Sequence, residues 1–384
     1  MISASPFIDQ LRGLGYSQYA GVPCSFLTPL INYVISDPAL DYVGATSEGE
    51  AVGITFGAFL AGRKTVTMCQ NSGLGNMVNP LTSLNYPFRV PTLLIVTWRG
   101  QPEVKDEPQH EQMGRIMHRL LETLEIPWLP FPTSEAEIAK TMAQADASME
   151  KRNRPFALVM QKGSVAPYAL SGRLEPESIK TDLRQNPSTN RNERLTRTAA
   201  IELILEALAG DEAIIATTGK TGRELFTISD RANHLYVVGG MGTASAIGFG
   251  AAHALPRQSV VVIDGDGAAL MKLGVLATIG FYQPSNLLHI ILDNEAHDST
   301  GGQQTASGVL RFAAVAAAAN YRSAFAANRQ EEIREAVRLL RHRPGPSLLH
   351  VLIQPGSPAN LGRPTVQPQE VKERFSQFLR SNAK

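Results

Sequence analysis

The sequence predicts an α/β protein of two domains, each a mostly parallel sheet flanked by helices. Three observations predict this. Short apolar, β-branched runs alternate with segments of helical spacing in both halves of the chain. A polar stretch with two prolines and little apolar periodicity, 171–193, separates the halves. The clearest unit, 259–305, reads as strand, helix, strand, and oxygen-bearing side chains fall beyond the carboxyl ends of its strands, where such units bind ligands. At 384 residues the chain is also too long for one core. The domains expected are 1–170 and 194–384, joined by that linker.

Composition narrows the function. With 43% hydrophobic and 18% charged residues the chain is of ordinary globular type, and 36 basic against 35 acidic residues leave no excess charge to draw it to nucleic acid. Cys24 and Cys69 are too few for a disulfide framework or a cysteine-based zinc site, so a reducing cytoplasm is expected. The first residues lack a basic region followed by an apolar core, and no run approaches the length of a membrane span. A soluble, unprocessed chain is expected.

In the first half, residues 6–14 read as a helix, 19–22 as a strand, 21–25 as the turn after it and 28–35 as a further helix. A strand at 42–44 leads into a helix opening at 45–50, whose Ala51, Gly53, Gly57, Ala58 and Ala61 predict close packing against a partner element. Ser47 and Glu50 fit a capping box, which explains Glu50 and leaves Glu48 unexplained. After a strand at 65–68, the glycine- and asparagine-rich run 70–84 reads as a turn into a helix capped near Asn79. A strand at 93–96 precedes the long polar loop 98–110, whose Arg99, Lys105 and His110 suit an anionic substrate or, singly, a solvated surface. Residues 156–161 read as the last strand of this half.

The second half begins with a helix at 197–209 and a strand at 213–217. Thr218 and Gly219, in the turn that follows, offer a hydroxyl and backbone N–H groups to a phosphate, although the G-x-x-x-x-G-K-[ST] spacing is absent. A strand at 235–238 leads to the turn 239–245. Its glycines lack the third small residue of a dinucleotide fingerprint, and no acid follows in the expected place, so a nicotinamide cofactor fits poorly. Then come the strand 259–263, Asp264-Gly265-Asp266-Gly267, a helix at 268–279, the strand 287–292 and Asp293-Asn294-Glu295. A strand at 347–353 and a helix at 369–379 end the series. Gly265 and Gly267 let backbone N–H groups approach a phosphate, while Asp266 and Asn294 are hard oxygen ligands for Mg²⁺ or Ca²⁺. Read alone, Gly-Asp-Gly is a strand-to-helix turn.

Gly265-Asp266-Gly267, the spacer 268–292 and Asp293-Asn294 together resemble the motif of the thiamine-diphosphate decarboxylases, with Asp293 standing where the family's first Asn often is. The resemblance implies that thiamine diphosphate and Mg²⁺ are the cofactors. Asp266, Asn294 and the Ala296 carbonyl would hold the metal, and Gly265, Gly267 and Ala268 would border the diphosphate. Gly239 would give a carbonyl to the coenzyme's amino group, Met241 would hold its two rings in a V, and Glu48 would protonate the pyrimidine. The short linker and absence of a middle domain are similar to the compact branch acting on phosphonopyruvate or sulfopyruvate. Residues 71–76, 98–100, 104–110, 218–225 and 297–303 resemble its phosphonopyruvate members in particular.

That branch implies loss of CO₂ from 3-phosphonopyruvate, a small anionic 2-keto acid, to give phosphonoacetaldehyde. The alternatives are sulfopyruvate decarboxylation and a non-catalytic cofactor-binding homologue. His110 and His297 are the expected proton carriers, Asp298 orients or assists one of them, and Ser25, Arg99 and Lys105 face the phosphonate. Ser25 and Thr300 stand where pyruvate decarboxylases place acids, and a carboxylate there would repel a phosphonate. The family arrangement further implies a homodimer or higher assembly.

Overall fold

Two compact units, Met1–Glu175 and Pro176–Lys384, make up the computed structural model, which describes residues 1–172, 175–185, 187 and 190–381. In the first, β1 (Tyr16–Gly21), β2 (Asp41–Gly44), β3 (Lys64–Gln70), β4 (Leu93–Thr97), β5 (Trp128–Pro130) and β6 (Phe156–Met160) form a parallel sheet in the order β2-β1-β3-β4-β6-β5. Leu93-Leu94-Ile95-Val96-Thr97 is buried throughout, as a central strand covered by helices on both faces requires. Separate apolar clusters fill the two faces, one around Phe7, Tyr19, Leu30 and Leu158 and the other around Cys69, Leu74, Met117 and Val159. The small-residue helix is Glu48–Leu60. Every residue from Gly49 to Ala58 in it is buried, so the close packing predicted from its composition is present.

The second unit holds β7 (Asp182–Arg184), β8 (Ala213–Ala216), β9 (His234–Tyr236), β10 (Val260–Gly265), β11 (Leu287–Asp293), β14 (Ser323–Ala327) and β15 (Ser347–Leu352), all parallel, in the order β7-β14-β15-β11-β10-β8-β9. A small antiparallel hairpin, β12 (Ala296–His297) with β13 (Gln303–Gln304), stands beyond the end of β11. Two mostly parallel, helix-flanked α/β sheets are the fold class the sequence predicts. Among the described residues no helix is long and apolar enough to cross a membrane.

Three local readings differ. The helix expected to be capped near Asn79 is preceded by a 3₁₀ turn, Asn71–Gly73, and already runs from Leu74 to Pro80, because Leu74, Met77 and Leu81 bury one face of it. Asn79 lies inside that helix and accepts a hydrogen bond from the Ser83 hydroxyl at 2.6 Å. The single helix expected at 268–279 is two, Asp266–Met271 and Val275–Tyr282, separated at Lys272-Leu273-Gly274. The stretch read as linker contributes β7, whose Asp182, Leu183 and Arg184 pair with Ser323, Ala324 and Phe325. Residues 173, 174, 186, 188 and 189 of that stretch lie outside the described residues.

Candidate active site

The site in the second unit follows from strand adjacency. Gly265 at the end of β10 pairs with Leu292 of β11, and Ile263 pairs with Ala216 of β8, so the segments leaving these three strands emerge side by side. Between them lies a cleft of about 350 Å³ lined by Thr218, Gly219, Met241, Gly265, Asp266, Gly267, Ala268, Asn294, Ala296, His297 and Asp298. Glycines shape its walls. Gly219, at φ 97° and ψ −141°, is in a region open essentially to glycine alone. A Cβ on Gly267 would stand 2.7 Å from Cε1 of His297, so that ring lies directly on bare backbone. Gly239, two residues before Met241, has φ 65°.

Asp266 begins its helix and is 3% exposed. Burial raises its carboxyl pKa, opposed by hydrogen bonds from the Thr305 and Ser307 hydroxyls and the Gly267 N–H; none of these donors is cationic. Asp293 behaves differently. Burial pushes it up, but His350 Nε2 at 2.8 Å and the Ser307 hydroxyl at 2.8 Å outweigh burial and hold its carboxyl below the usual range. Asn294 is 2% exposed; its Nδ2 donates to Asp298 Oδ2 at 2.6 Å, and its Oδ1 accepts from the Ala296 N–H at 3.4 Å.

Among the described residues no group of three His, Cys, Asp or Glu side chains is placed to hold a metal. With the Asp298 carboxylate taken up by Arg197, Asn294 and Gly356, the donors assigned to a cation are the Asp266 carboxylate, the Asn294 amide oxygen and the Ala296 carbonyl. Such a set suits Mg²⁺, which takes six hard oxygens and completes them with phosphate and water, and it does not suit zinc. The buried Asp266 charge is of the kind a cation compensates. The residues present therefore fit a magnesium diphosphate.

The first unit carries Glu48 at the start of its helix. The Ser47 hydroxyl accepts from the Glu50 N–H at 3.3 Å, and the Glu50 carboxylate accepts from the Thr46 N–H at 3.1 Å, so the cap is complete without Glu48. The Glu48 Oε2 accepts from Asn76 Nδ2 at 2.8 Å, and a Cβ on Gly73 would stand 2.2 Å from Oε1. Beyond β1 and β4, Arg99 gives Nε to Asp106 at 2.8 Å and Nη1 to the Ser25 hydroxyl at 3.3 Å, with its guanidinium 4.9 Å above the Phe26 ring. The Arg99 hydrogen bonds hold the Asp106 carboxyl well below the usual range. Gly100 and Glu107 also donate their N–H groups to it, at 2.8 Å each.

Two expectations change. Arg99 is not a free cation for substrate, because Asp106 takes Nε and Nη2 and leaves only Nη1, beside Ser25. Among the described residues Asp298 is bonded to no histidine: its Oδ2 accepts from Arg197, Asn294 and the Gly356 N–H, so it holds an amide rather than an imidazole. Lys105 is exposed on the loop and is not joined to Ser25 or Arg99, whereas His110 is buried with its Nδ1 unpartnered among the described residues. The sequence reading missed Lys220 at the cleft and the supporting Arg197, Glu224, Thr305, Ser307 and His350.

Residues 3–119 match the N-terminal TPP binding domain of thiamine pyrophosphate enzymes, and residues 218–351 match the C-terminal TPP binding domain. A phosphonopyruvate decarboxylase of Streptomyces viridochromogenes is 46% identical over 379 residues, 99% of this chain and 95% of that protein. A sulfopyruvate decarboxylase of Methanosarcina acetivorans is 29% identical, over 97% of this chain and 96% of that protein. The crystal structure of benzoylformate decarboxylase from Polynucleobacter necessarius covers 92% of this chain and 99% of its own with a TM-score of 0.73, a likeness of fold alone at 12% identity. A chain whose two units both match this family, and which aligns end to end with a phosphonopyruvate decarboxylase, belongs to the thiamine pyrophosphate enzymes and, within them, to the phosphonopyruvate decarboxylase family.

Proposed function

We propose that the chain is a carboxy-lyase, dependent on thiamine diphosphate and Mg²⁺, that converts 3-phosphonopyruvate to phosphonoacetaldehyde and CO₂. The observation that carries the reading is the cleft at the ends of β8, β10 and β11, which Asp266, Asn294 and Ala296 line together with Gly219, Gly265 and Gly267. Its support for the substrate is the 46% identity to the Streptomyces protein. When bound, thiamine diphosphate supplies a thiazolium carbon that adds to the ketone and takes up the electron pair freed with CO₂.

The chain supplies the rest. Asp266, Asn294 and Ala296 hold the metal, while Thr218, Gly219, Gly265, Gly267 and Ala268 border the diphosphate. Gly239 accepts from the coenzyme's amino group, Met241 supports its rings, and Glu48 holds a proton at the pyrimidine. Breaking the C1–C2 bond leaves its electron pair at C2, and a proton must replace the CO₂; His110 and His297 are the groups proposed to carry it. Ser25 and the Nη1 face of Arg99, with Lys105, receive the phosphonate. The working assembly is a homodimer in the cytoplasm, with each site completed by both chains.

Parallel turnover assays on phosphonopyruvate and sulfopyruvate test the substrate. Faster turnover of sulfopyruvate would overturn the choice, and the full-length relative that bears that name makes it the proper rival. Glu48→Gln tests the chemistry: turnover should fall by roughly 10²-fold or more, the usual worth of a positioned proton carrier. An unchanged rate would remove Glu48 from the reaction.

A further inference from the structure

A buried chain of ionic and polar contacts runs behind the cleft. Arg197, the first residue of the helix Arg197–Ala207, donates to Glu224 at 2.9 Å and to Asp298 at 2.6 Å. Their side chains are 6%, 1% and 10% exposed. Removing one partner from such a set leaves an uncompensated buried charge, so the set holds its geometry firmly. Glu224 is further fixed by the Thr198 hydroxyl at 2.7 Å and the Ser357 hydroxyl at 2.8 Å, and Asp298 by the Gly356 N–H at 3.1 Å. The end of this chain that faces the cleft is the bond from Asn294 Nδ2 to Asp298 Oδ2 at 2.6 Å.

That bond decides which end of an amide the cleft meets. The oxygen and nitrogen ends of an Asn side chain have nearly the same shape, but only the oxygen can ligate a cation. An ionised carboxylate only accepts, so Asp298 captures the NH₂ end; the Ala296 N–H, donating at 3.4 Å, marks the other end as oxygen. We propose that Asp298, anchored by Arg197, is a positioning residue that turns the Asn294 amide oxygen toward a divalent metal. The proposal rests on the reading of Asn294 as a ligand of that metal. Arg197 and Glu224 act one step further back: Glu224 fixes the Arg197 guanidinium, and Arg197 holds the Asp298 carboxylate in place.

The test is a Mn²⁺ titration of the full chain with saturating thiamine diphosphate, read by the EPR signal of free Mn²⁺ against a blank without protein. Asp298→Ala should weaken Mn²⁺ binding by about 10- to 100-fold, the usual cost of losing a partner behind a metal ligand. Asn294→Asp provides the internal control, since a carboxylate presents oxygen at both ends and needs no orientation. In that background Asp298→Ala should cause no loss. A loss of equal size in both backgrounds would overturn the proposal, because it would show that Asp298 merely supports the fold. Unchanged affinity on Asp298→Ala alone would also overturn it. Asn294→Ala separates the two levels: if it leaves Mn²⁺ affinity intact, the ligand reading fails and the positioning role with it. Should Asp298→Ala not fold, Asp298→Asn is titrated in both backgrounds, with a smaller loss expected beside Asn294 and none beside the aspartate.

Discussion

A methyl group at Gly73 would stand 2.2 Å from the Glu48 Oε1 and 2.5 Å from its Cγ, so the acid would have to swing away from Asn76. The backbone there has φ −71° and ψ −17°, which any residue adopts, so Gly73→Ala carries no conformational penalty of its own. Turnover should fall by about 10²-fold while the melting temperature holds; full activity in a well-folded variant would show that the Glu48 position is not critical. His234 gives a second prediction at this scale. Burial lowers its pKa from 6.5 to about 4, with Nδ1 donating to the Ser229 carbonyl at 3.0 Å and Nε2 without a partner among the described residues. As pH drops below 6.5 the unfolded chain takes up the proton first, so the stability from this group is complete above that pH and is lost toward pH 4. Between pH 7.5 and 5 the wild type should lose roughly 2 kcal/mol more than His234→Gln in urea melts of the unit that holds it. Parallel losses in the two proteins would show that His234 is not the cause.

Elements differ in how much of themselves they write into local sequence. Asp266 and Asn294 were legible because β10 and β11 are neighbours joined by one crossover, so a single stretch holds both. His350 and Arg197 were not, since each reaches the cleft region from another element through parallel crossovers that no spacing reveals, and Thr305 and Ser307 are brought back to Asp266 and Asp293 by the short β12–β13 hairpin, which carries no strand signal of its own. The helix Glu135–Arg152 did leave a signal that went unread, the Ser134 and Glu137 capping box followed by Ile138, Met142, Ala145 and Met149 on one buried face. The loop 98–110 was legible in its length and polarity but not in its internal bonding, where Asp106 gathers Arg99, Gly100 and Glu107. Asp106→Ala should therefore speed hydrogen exchange at the Gly100 and Glu107 amides by at least about tenfold. Slow exchange in that variant would mean that other contacts hold the loop.

Across the whole molecule, the proposed acid lies in one unit and the proposed metal ligands in the other. If each site draws on both chains of a homodimer, a Glu48→Ala protein mixed with an Asp266→Ala protein should regain activity that neither has. Random exchange makes half of the dimers mixed, each with one intact site, so about a quarter of wild-type turnover is expected. No recovery after proven subunit exchange would place every site within a single chain. Two-fold internal likeness was legible in the alternation of strands and helices, while strand order was not, because it depends on which distant runs pair.

The division at Glu175 and Pro176 leaves every paired strand with its own sheet, β1–β6 before it and β7–β15 after it. Among the described residues, a gene cut there would separate no paired strands. Two open reading frames expressed together should thus yield a working enzyme in which the coenzyme's two grips are inherited, varied and exchanged independently.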